Sequence, residues 1–189
     1  MAAPSDPTAL KAELIGIVRA RSFRRGKFTL ASGRESELYF NLKPTMMDPR
    51  GAHLSARGFL HALDGVPVDW LGGLEMGAVP VISAFAALSD VEGRPVKTFF
   101  VRKAAKDHGT QEKLEGLGPD DSLAGQRVVI ADDVATTAGS IFKAVEAARA
   151  AGATVDTAVV LLDRQEGGAE FLAGKGIRLI SVLTAADFA

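Results

Sequence analysis

The sequence predicts an α/β fold, in which a doubly wound parallel sheet carries a small N-terminal hood. Short apolar runs alternate with amphipathic helical segments over most of the chain, which is typical of a parallel sheet covered by helices on both faces. The run at residues 128–131 is continuously apolar, as expected for a strand that is buried on both faces. The 189 residues suit a single domain, which would bury about 70% of the surface of the unfolded chain.

The predicted elements follow one another in a regular order. Apolar residues share one side of residues 9–20, which predicts a helix, and residues 27–31 and 38–43 predict an antiparallel hairpin. After a helix at residues 51–63, the predicted elements are strand 70–73, helix 78–88, strand 98–101, strand 128–132, helix 139–151, strand 157–163 and strand 177–183. The first helix and the hairpin lie outside the alternation and would cap the carboxyl edge of the sheet.

Composition limits the classes of function. The net charge of −1 and the isoelectric point of about 6.3 predict neither nonspecific nucleic-acid binding nor binding to an anionic membrane. The chain has no cysteine, which excludes disulfides, thiolate metal sites and a thiol nucleophile. The first residues lack the pattern of a signal peptide, and no apolar stretch approaches the roughly 18 residues of a membrane helix. We therefore expect a cytoplasmic protein.

Two carboxylates and a hydroxyl-rich turn follow the strand at residues 128–132. Asp132 and Asp133 fall at its carboxyl end, the edge at which open α/β sheets bind ligands. Residues 136–140 then lead into a helix, so that backbone N–H groups and the positive end of the helix dipole can bind a phosphate. Carboxylates repel a phosphate but accept hydrogen bonds from sugar hydroxyls, which favours a ribose 5-phosphate. The alternative is an ordinary turn in which one Asp or Thr caps the helix.

This segment resembles the phosphoribosyl diphosphate binding motif of type I phosphoribosyltransferases. The resemblance implies a fold of that type, in which Asp132 and Asp133 hold the ribose 2- and 3-hydroxyls and serve catalysis. The residues that it implies for donor binding here are Asp132, Asp133, Val134, Ala135, Thr136, Thr137, Ala138, Gly139 and Ser140. About residues 1–45 would then contribute the hood and about residues 64–189 the core sheet of one phosphoribosyltransferase domain.

Residues 102–121 show no apolar period and begin with a cluster of cations. Arg102, Lys103, Lys106 and His108 fall within seven residues, and such a cluster suits a polyanionic ligand. Charge clusters are usually solvated surface. This one directly follows a predicted strand, however, and so leaves the sheet at the same edge as Asp132.

The cationic segment is similar to the mobile catalytic loop of the orotate phosphoribosyltransferase family, whose pattern is Arg-Lys-x-x-Lys-x-His-Gly. The resemblance covers nearly the whole chain, and it implies transfer of a phosphoribosyl group to orotate in pyrimidine synthesis. It implies that Arg102, Lys103, Lys106 and His108 contact the donor diphosphate, with Lys106 as the principal catalytic cation. It further implies a homodimer that shares this lid across its interface. Mg²⁺ is expected on the diphosphate, with no direct protein ligand.

Two further sites are expected from the same resemblance. The turn that contains Glu75, Met76 and Gly77 resembles the family's diphosphate-binding loop, and the alternative is a Gly-rich connector. Arg164 and Thr136 match the family's orotate-binding residues, and Arg164 offers a planar fork for a carboxylate. A surface salt bridge is the alternative role of Arg164.

One position departs from the family pattern. Many family members have lysine where this chain has Ala31, and Lys43 and Arg34 are the candidates to compensate. Two other functions stay open at this point. They are transfer to another base and a noncatalytic regulator that only senses the sugar diphosphate.

Overall fold

The computed structural model of the chain describes residues 6–29, 35–103 and 113–189. Its helices are α1 (Pro7–Arg21), α2 (Lys43–Met46), α3 (Pro49–Ala62), α4 (Val79–Val91), α5 (Gly139–Ala150) and α6 (Gly168–Ala173), and a 3₁₀ turn spans Ala185–Phe188. Its strands are β1 (Phe23–Thr29), β2 (Glu35–Phe40), β3 (Trp70–Leu74), β4 (Lys97–Val101), β5 (Leu114–Glu115), β6 (Arg127–Ala135), β7 (Thr154–Asp163) and β8 (Arg178–Thr184).

A sheet with the strand order β5-β4-β3-β6-β7-β8 forms the centre of the protein. All neighbouring strands in this sheet are parallel except at one edge, where the short strand β5 runs antiparallel to β4. The chain passes from β3 to β4 on one side and then returns to place β6 on the other side of β3. The winding therefore reverses between β3 and β6, and this switch point is where doubly wound sheets bind ligands.

Helices cover both faces of the sheet. Successive residues of β6 enter two different apolar clusters, because side chains alternate between the faces of a strand. Val129 and Ala131 pack in a cluster with α1, α3 and α4, whereas Val128 and Ile130 pack in a cluster with α5. This arrangement confirms the predicted doubly wound α/β fold.

The N-terminal region contributes one helix to the core and forms a small separate sheet. Leu10, Leu14 and Val18 of α1 are buried in the same cluster as α3. Strands β1 and β2 pair as a separate two-stranded antiparallel sheet. The division of the chain into hood and core at the proposed boundaries stays a prediction. None of the described helices is both long enough and apolar enough to cross a membrane.

Several element boundaries differ from the prediction. Strand β1 begins at Phe23 rather than at residue 27, because Phe23 pairs with Phe40 and their rings lie 5.1 Å apart. Strand β6 continues to Ala135 rather than ending at residue 132, because β7 extends beside it. The prediction missed the short elements α2, α6 and β5 and the final 3₁₀ turn. Strand β5 lies within residues 102–121, where the lack of an apolar period predicted no helix or strand.

Candidate active site

The end of β6 is paired on one side and open on the other. On the β3 side, the last pair joins Gly73 to Ala131. On the β7 side, pairing continues from Asp132 to Ala135. Asp132 and Asp133 therefore lie beyond the last β3 pair, at the switch point, as the sequence predicted for the carboxyl edge.

Asp132 is buried beside a second carboxylate. Only 5% of the residue is exposed, the Ser140 hydroxyl donates to Asp132 Oδ2 over 2.7 Å, and the Asp133 amide donates to Asp132 Oδ1 over 2.9 Å. Burial and the neighbouring Asp133 carboxylate raise the pKa of Asp132 to about 7, although the Ser140 hydrogen bond opposes the shift. The carboxyl group of Asp132 can therefore gain or lose a proton near neutral pH.

Asp133 has a charged neighbour from the N-terminal region. Its side chain is 14% exposed, and Lys43 Nζ lies 3.6 Å from Asp133 Oδ2. Its other oxygen, Oδ1, accepts a hydrogen bond from the Val134 amide over 2.9 Å. Lys43 begins α2, shortly after β2, so this ion pair joins the hood to the carboxyl edge of the sheet.

The turn at residues 136–140 is shaped by close packing. Ala138 is buried, and its backbone adopts the left-handed conformation with φ of 58°. Gly139 begins α5, whose first amides have no side-chain cap. A Cβ added to Gly168 would lie 2.8 Å from the Thr136 carbonyl oxygen. The start of α6 thus holds the turn in place, and the first amides of α5 face the carboxyl edge.

The predicted diphosphate loop lies directly across from the acid pair. A Cβ added to Gly77 would lie 2.7 Å from Asp132 Oδ1 and 2.7 Å from Asp133 Oδ1. The preceding peptide, Glu75–Met76, is cis. The loop after β3 therefore packs directly against the carboxylates of β6.

The cationic segment begins and ends beside this loop. The Arg102 amide donates to the Lys113 carbonyl over 2.8 Å, and Arg102 Nη1 lies 3.4 Å from Glu115 Oε1. The pairing of β4 with β5 thus brings the two ends of the segment together at the carboxyl edge. Lys106, the predicted catalytic cation, and His108, a predicted contact to the diphosphate, lie outside the described residues.

Arg164 is buried between β6 and the hairpin. Its amide donates to the Ala135 carbonyl over 2.9 Å, and its Nη2 donates to the Leu38 carbonyl over 3.2 Å. The same nitrogen lies 2.8 Å from Glu166 Oε1. Because Arg164 is only 8% exposed, its ion pair with Glu166 is a buried contact rather than a surface salt bridge.

The chain matches known proteins over most of its length. The family model for the phosphoribosyl transferase domain matches residues 53–174. An orotate phosphoribosyltransferase of Bradyrhizobium sp. strain BTAi1 is 50% identical over 181 residues, which cover 96% of this chain and 98% of that relative. The chain belongs to the orotate phosphoribosyltransferase family.

Solved structures of other members of the orotate phosphoribosyltransferase family share the fold. The Mycobacterium tuberculosis orotate phosphoribosyltransferase in complex with 5-phospho-α-D-ribosyl 1-diphosphate matches with a TM-score of 0.78 and 34% identity, covering 94% of this chain and 98% of that one. The complex of the same enzyme with Fe(III) dicitrate matches with a TM-score of 0.81 and 36% identity, covering 95% of this chain and 99% of that one. These matches confirm the predicted family and fold.

Three contacts in this family member were missed by the sequence analysis. They are the close approach of Gly77 to the acid pair, the bond from Ser140 to Asp132 and the support of Thr136 by Gly168. Two of the three join residues that are distant in sequence, and no local pattern indicates them. Within the described parts of the chain, no group of three or more His, Cys, Asp or Glu side chains is arranged to hold a metal ion.

We expect Gly77→Ala to destabilise this orotate phosphoribosyltransferase family member by about 1–3 kcal/mol, because the new methyl group would overlap with both carboxylates. The buried Asp132 can move little, since Ser140 and the Asp133 amide hold it. The free energy of unfolding, measured by chemical denaturation, checks the prediction.

Gly16→Ala is the matched control for this substitution. No described atom outside its local helix lies within 4 Å of a Cβ added at this position in α1. We expect it to stabilise the protein by about 0.5–1 kcal/mol, because alanine is the better helix former. Equal effects at positions 77 and 16 would contradict the proposed crowding.

Proposed function

We propose that this chain transfers the 5-phosphoribosyl group from 5-phosphoribosyl 1-diphosphate to orotate. The products are orotidine 5-phosphate and diphosphate, in the de novo synthesis of the pyrimidine nucleotide UMP. The observation that carries the proposal is the meeting of three segments at the switch point. These are the acid pair at residues 132–133, the turn at residues 136–140 and the loop at residues 75–77.

The start of α5 and the acid pair suit opposite ends of the sugar. The amides at the start of α5 suit the 5-phosphate, because they carry partial positive charge and have no side-chain cap. Asp132 and Asp133 suit the 2- and 3-hydroxyls, which donate hydrogen bonds to carboxylates. This orientation would leave the anomeric carbon near Gly77, with the diphosphate directed toward the loop after β3.

Loss of diphosphate builds negative charge on the leaving oxygens and positive charge on the sugar ring. Cations around the leaving group would therefore stabilise the transition state more than the ground state. Arg102 and Lys103 lie beside the diphosphate loop, and Lys106 and His108 follow in the chain. Each preorganised donor in a site without water is worth about 3 kcal/mol, or a hundredfold or more in rate.

Arg164 and Thr136 are the proposed contacts to orotate. The Arg164 amide donates to the Ala135 carbonyl of β6, and the Arg164 guanidinium donates to the Leu38 carbonyl of the hairpin. A guanidinium can serve several acceptors at once, since it has five N–H donors in a fixed plane. Glu166 would then orient the Arg164 guanidinium, while the remaining N–H groups of Arg164 bind the orotate carboxylate.

We further propose that Mg²⁺ accompanies the diphosphate and that the protein acts as a cytoplasmic homodimer sharing the cationic lid. Mg²⁺ prefers phosphate oxygens and usually keeps several waters, so the diphosphate can carry the ion without a direct protein ligand. When bound, the ion would neutralise part of the charge on the leaving group. The balanced net charge of −1 gives no support for a nucleic-acid or membrane partner.

One assay tests the proposed function and the role of Arg164. The wild-type protein with phosphoribosyl diphosphate and Mg²⁺ is expected to consume orotate, which is measured as a loss of orotate absorbance. It is expected to use uracil and purines at least about a hundredfold less well. Arg164→Lys is expected to raise the KM for orotate about tenfold or more, because lysine cannot form the bidentate pair.

Two outcomes would contradict the proposed function, and a third would contradict the role of Arg164 alone. Equal use of uracil would favour a transferase for another base. Donor binding without turnover of any base would favour a regulator. Arg164→Lys with an unchanged KM for orotate would remove Arg164 from the base site but leave the activity intact.

A further inference from the structure

Glu75 is an acidic residue in a turn that is proposed to bind an anion. A free carboxylate there would repel the donor diphosphate, so its contacts need an explanation. Its Oε1 accepts a hydrogen bond from the Lys103 amide over 2.7 Å. Its own amide donates to the Val101 carbonyl over 2.9 Å. Glu75 thus bonds to the chain on both sides of Arg102.

These two bonds fasten the diphosphate loop to the start of the cationic segment. The bond from the Glu75 amide to Val101 continues the parallel pairing of β3 with β4, in which Leu74 is opposite Val101. The bond from the Lys103 amide to the Glu75 side chain extends that connection past the end of the strand. On its other side, the backbone of Arg102 is bonded to Lys113. Residues 101–103 are therefore held between the diphosphate loop and the returning end of the segment.

The contact also reduces the electrostatic cost of the acidic residue. A carboxylate that accepts a backbone N–H bond has part of its charge compensated by the amide dipole. The residue whose amide binds the Glu75 carboxylate is itself a lysine. The exposed side chain of Lys103 therefore adds a positive charge next to that carboxylate in the chain. A glutamate is thereby tolerated beside a diphosphate because it binds the backbone of the cationic segment.

We propose that Glu75 is a positioning residue for the transfer reaction. By binding the Lys103 amide, it holds Arg102 and Lys103 at the distance from Gly77 at which both loops can contact one diphosphate. The inference rests on the proposed function and concerns the side chain of Glu75, which binds the protein backbone. The hydrogen-bond acceptor is the required property, and the negative charge is not.

Glu75→Gln and Glu75→Ala separate these two properties. Glutamine keeps an oxygen that can accept the Lys103 N–H bond, so its kcat is expected to stay within about threefold of the wild-type value. Alanine removes the acceptor, and kcat is expected to fall about tenfold, with the KM for orotate unchanged. Hydrogen exchange provides a readout that does not depend on activity. The Lys103 amide should be protected in the wild type and in Glu75→Gln, and should exchange faster in Glu75→Ala.

Asp90→Ala, which removes an exposed carboxylate from the last turn of α4, is the matched control and should change neither kcat nor the exchange of Lys103. A Glu75→Gln variant as impaired as Glu75→Ala would overturn the inference, as would an alanine variant with wild-type kcat. Unprotected Lys103 in the wild-type protein would overturn it as well. Because wild-type turnover of orotate is measured first, its absence would identify a failure of the proposed function, whereas normal wild-type turnover with any of the other outcomes rejects the role of Glu75 alone.

Discussion

Replacing Lys106 by alanine is expected to lower turnover about a hundred- to a thousandfold, because the lost cation would stabilise charge that develops only as diphosphate departs. The effect should appear in kcat and in kcat/KM together, since an interaction made only in the transition state contributes to both. Initial rates with orotate and phosphoribosyl diphosphate measure it. Thermal unfolding and gel filtration should give wild-type values.

Lys113→Ala is the control for the loss of a lysine near the same loop. Lys113 is exposed at the returning end of the segment, and its contact with Arg102 uses its backbone carbonyl. Its side chain lies outside the Arg-Lys-x-x-Lys-x-His-Gly pattern, so turnover should stay near the wild-type value. Near-normal turnover of Lys106→Ala would reject the catalytic role of that residue. An equal loss in both variants would indicate a general effect of charge.

The acid pair and its turn could be predicted because their signals are local. An apolar run, two carboxylates and a hydroxyl-rich turn follow one another within residues 128–140, and the periodicity of a buried strand needs no distant partner to be recognised. The same is true of the cationic cluster that starts at Arg102, since it directly follows an apolar strand.

The contacts between segments that are distant in sequence could not be predicted in the same way. Gly77 meets Asp132 and Asp133 only because β3 and β6 are neighbours in the sheet, and strand order is a property of the whole chain. The contact of Lys43 with Asp133 depends on where the hairpin lies. The start of β1 was also missed. Its first residues are mostly polar and do not alternate between apolar and polar, so no buried face could be recognised.

The burial of Asp132 links the site to stability. In the unfolded chain its carboxyl group has a pKa near the ordinary value of 3.8, whereas in the folded protein the pKa is raised to about 7. Between these values the folded state holds more protons than the unfolded state, so this group makes the protein less stable as the pH rises. The destabilisation is complete above the folded pKa. A carboxylate that suits sugar hydroxyls is therefore retained at a cost in folding free energy.

Asp132→Asn is accordingly expected to be inactive and, at high pH, more stable than the wild type. Asparagine resembles the protonated acid, and its amide can serve both Ser140 and the Asp133 amide. The gain in unfolding free energy should be small at pH 4 and reach about 2–4 kcal/mol at pH 8, because each pKa unit corresponds to about 1.4 kcal/mol. Chemical denaturation at both pH values measures it, and kcat/KM for the donor should fall about a hundredfold or more. Asp90→Asn should show no such pH-dependent gain, and a gain for Asp132→Asn that is equal at both pH values would mean that Asp132 ionises like an exposed carboxylate.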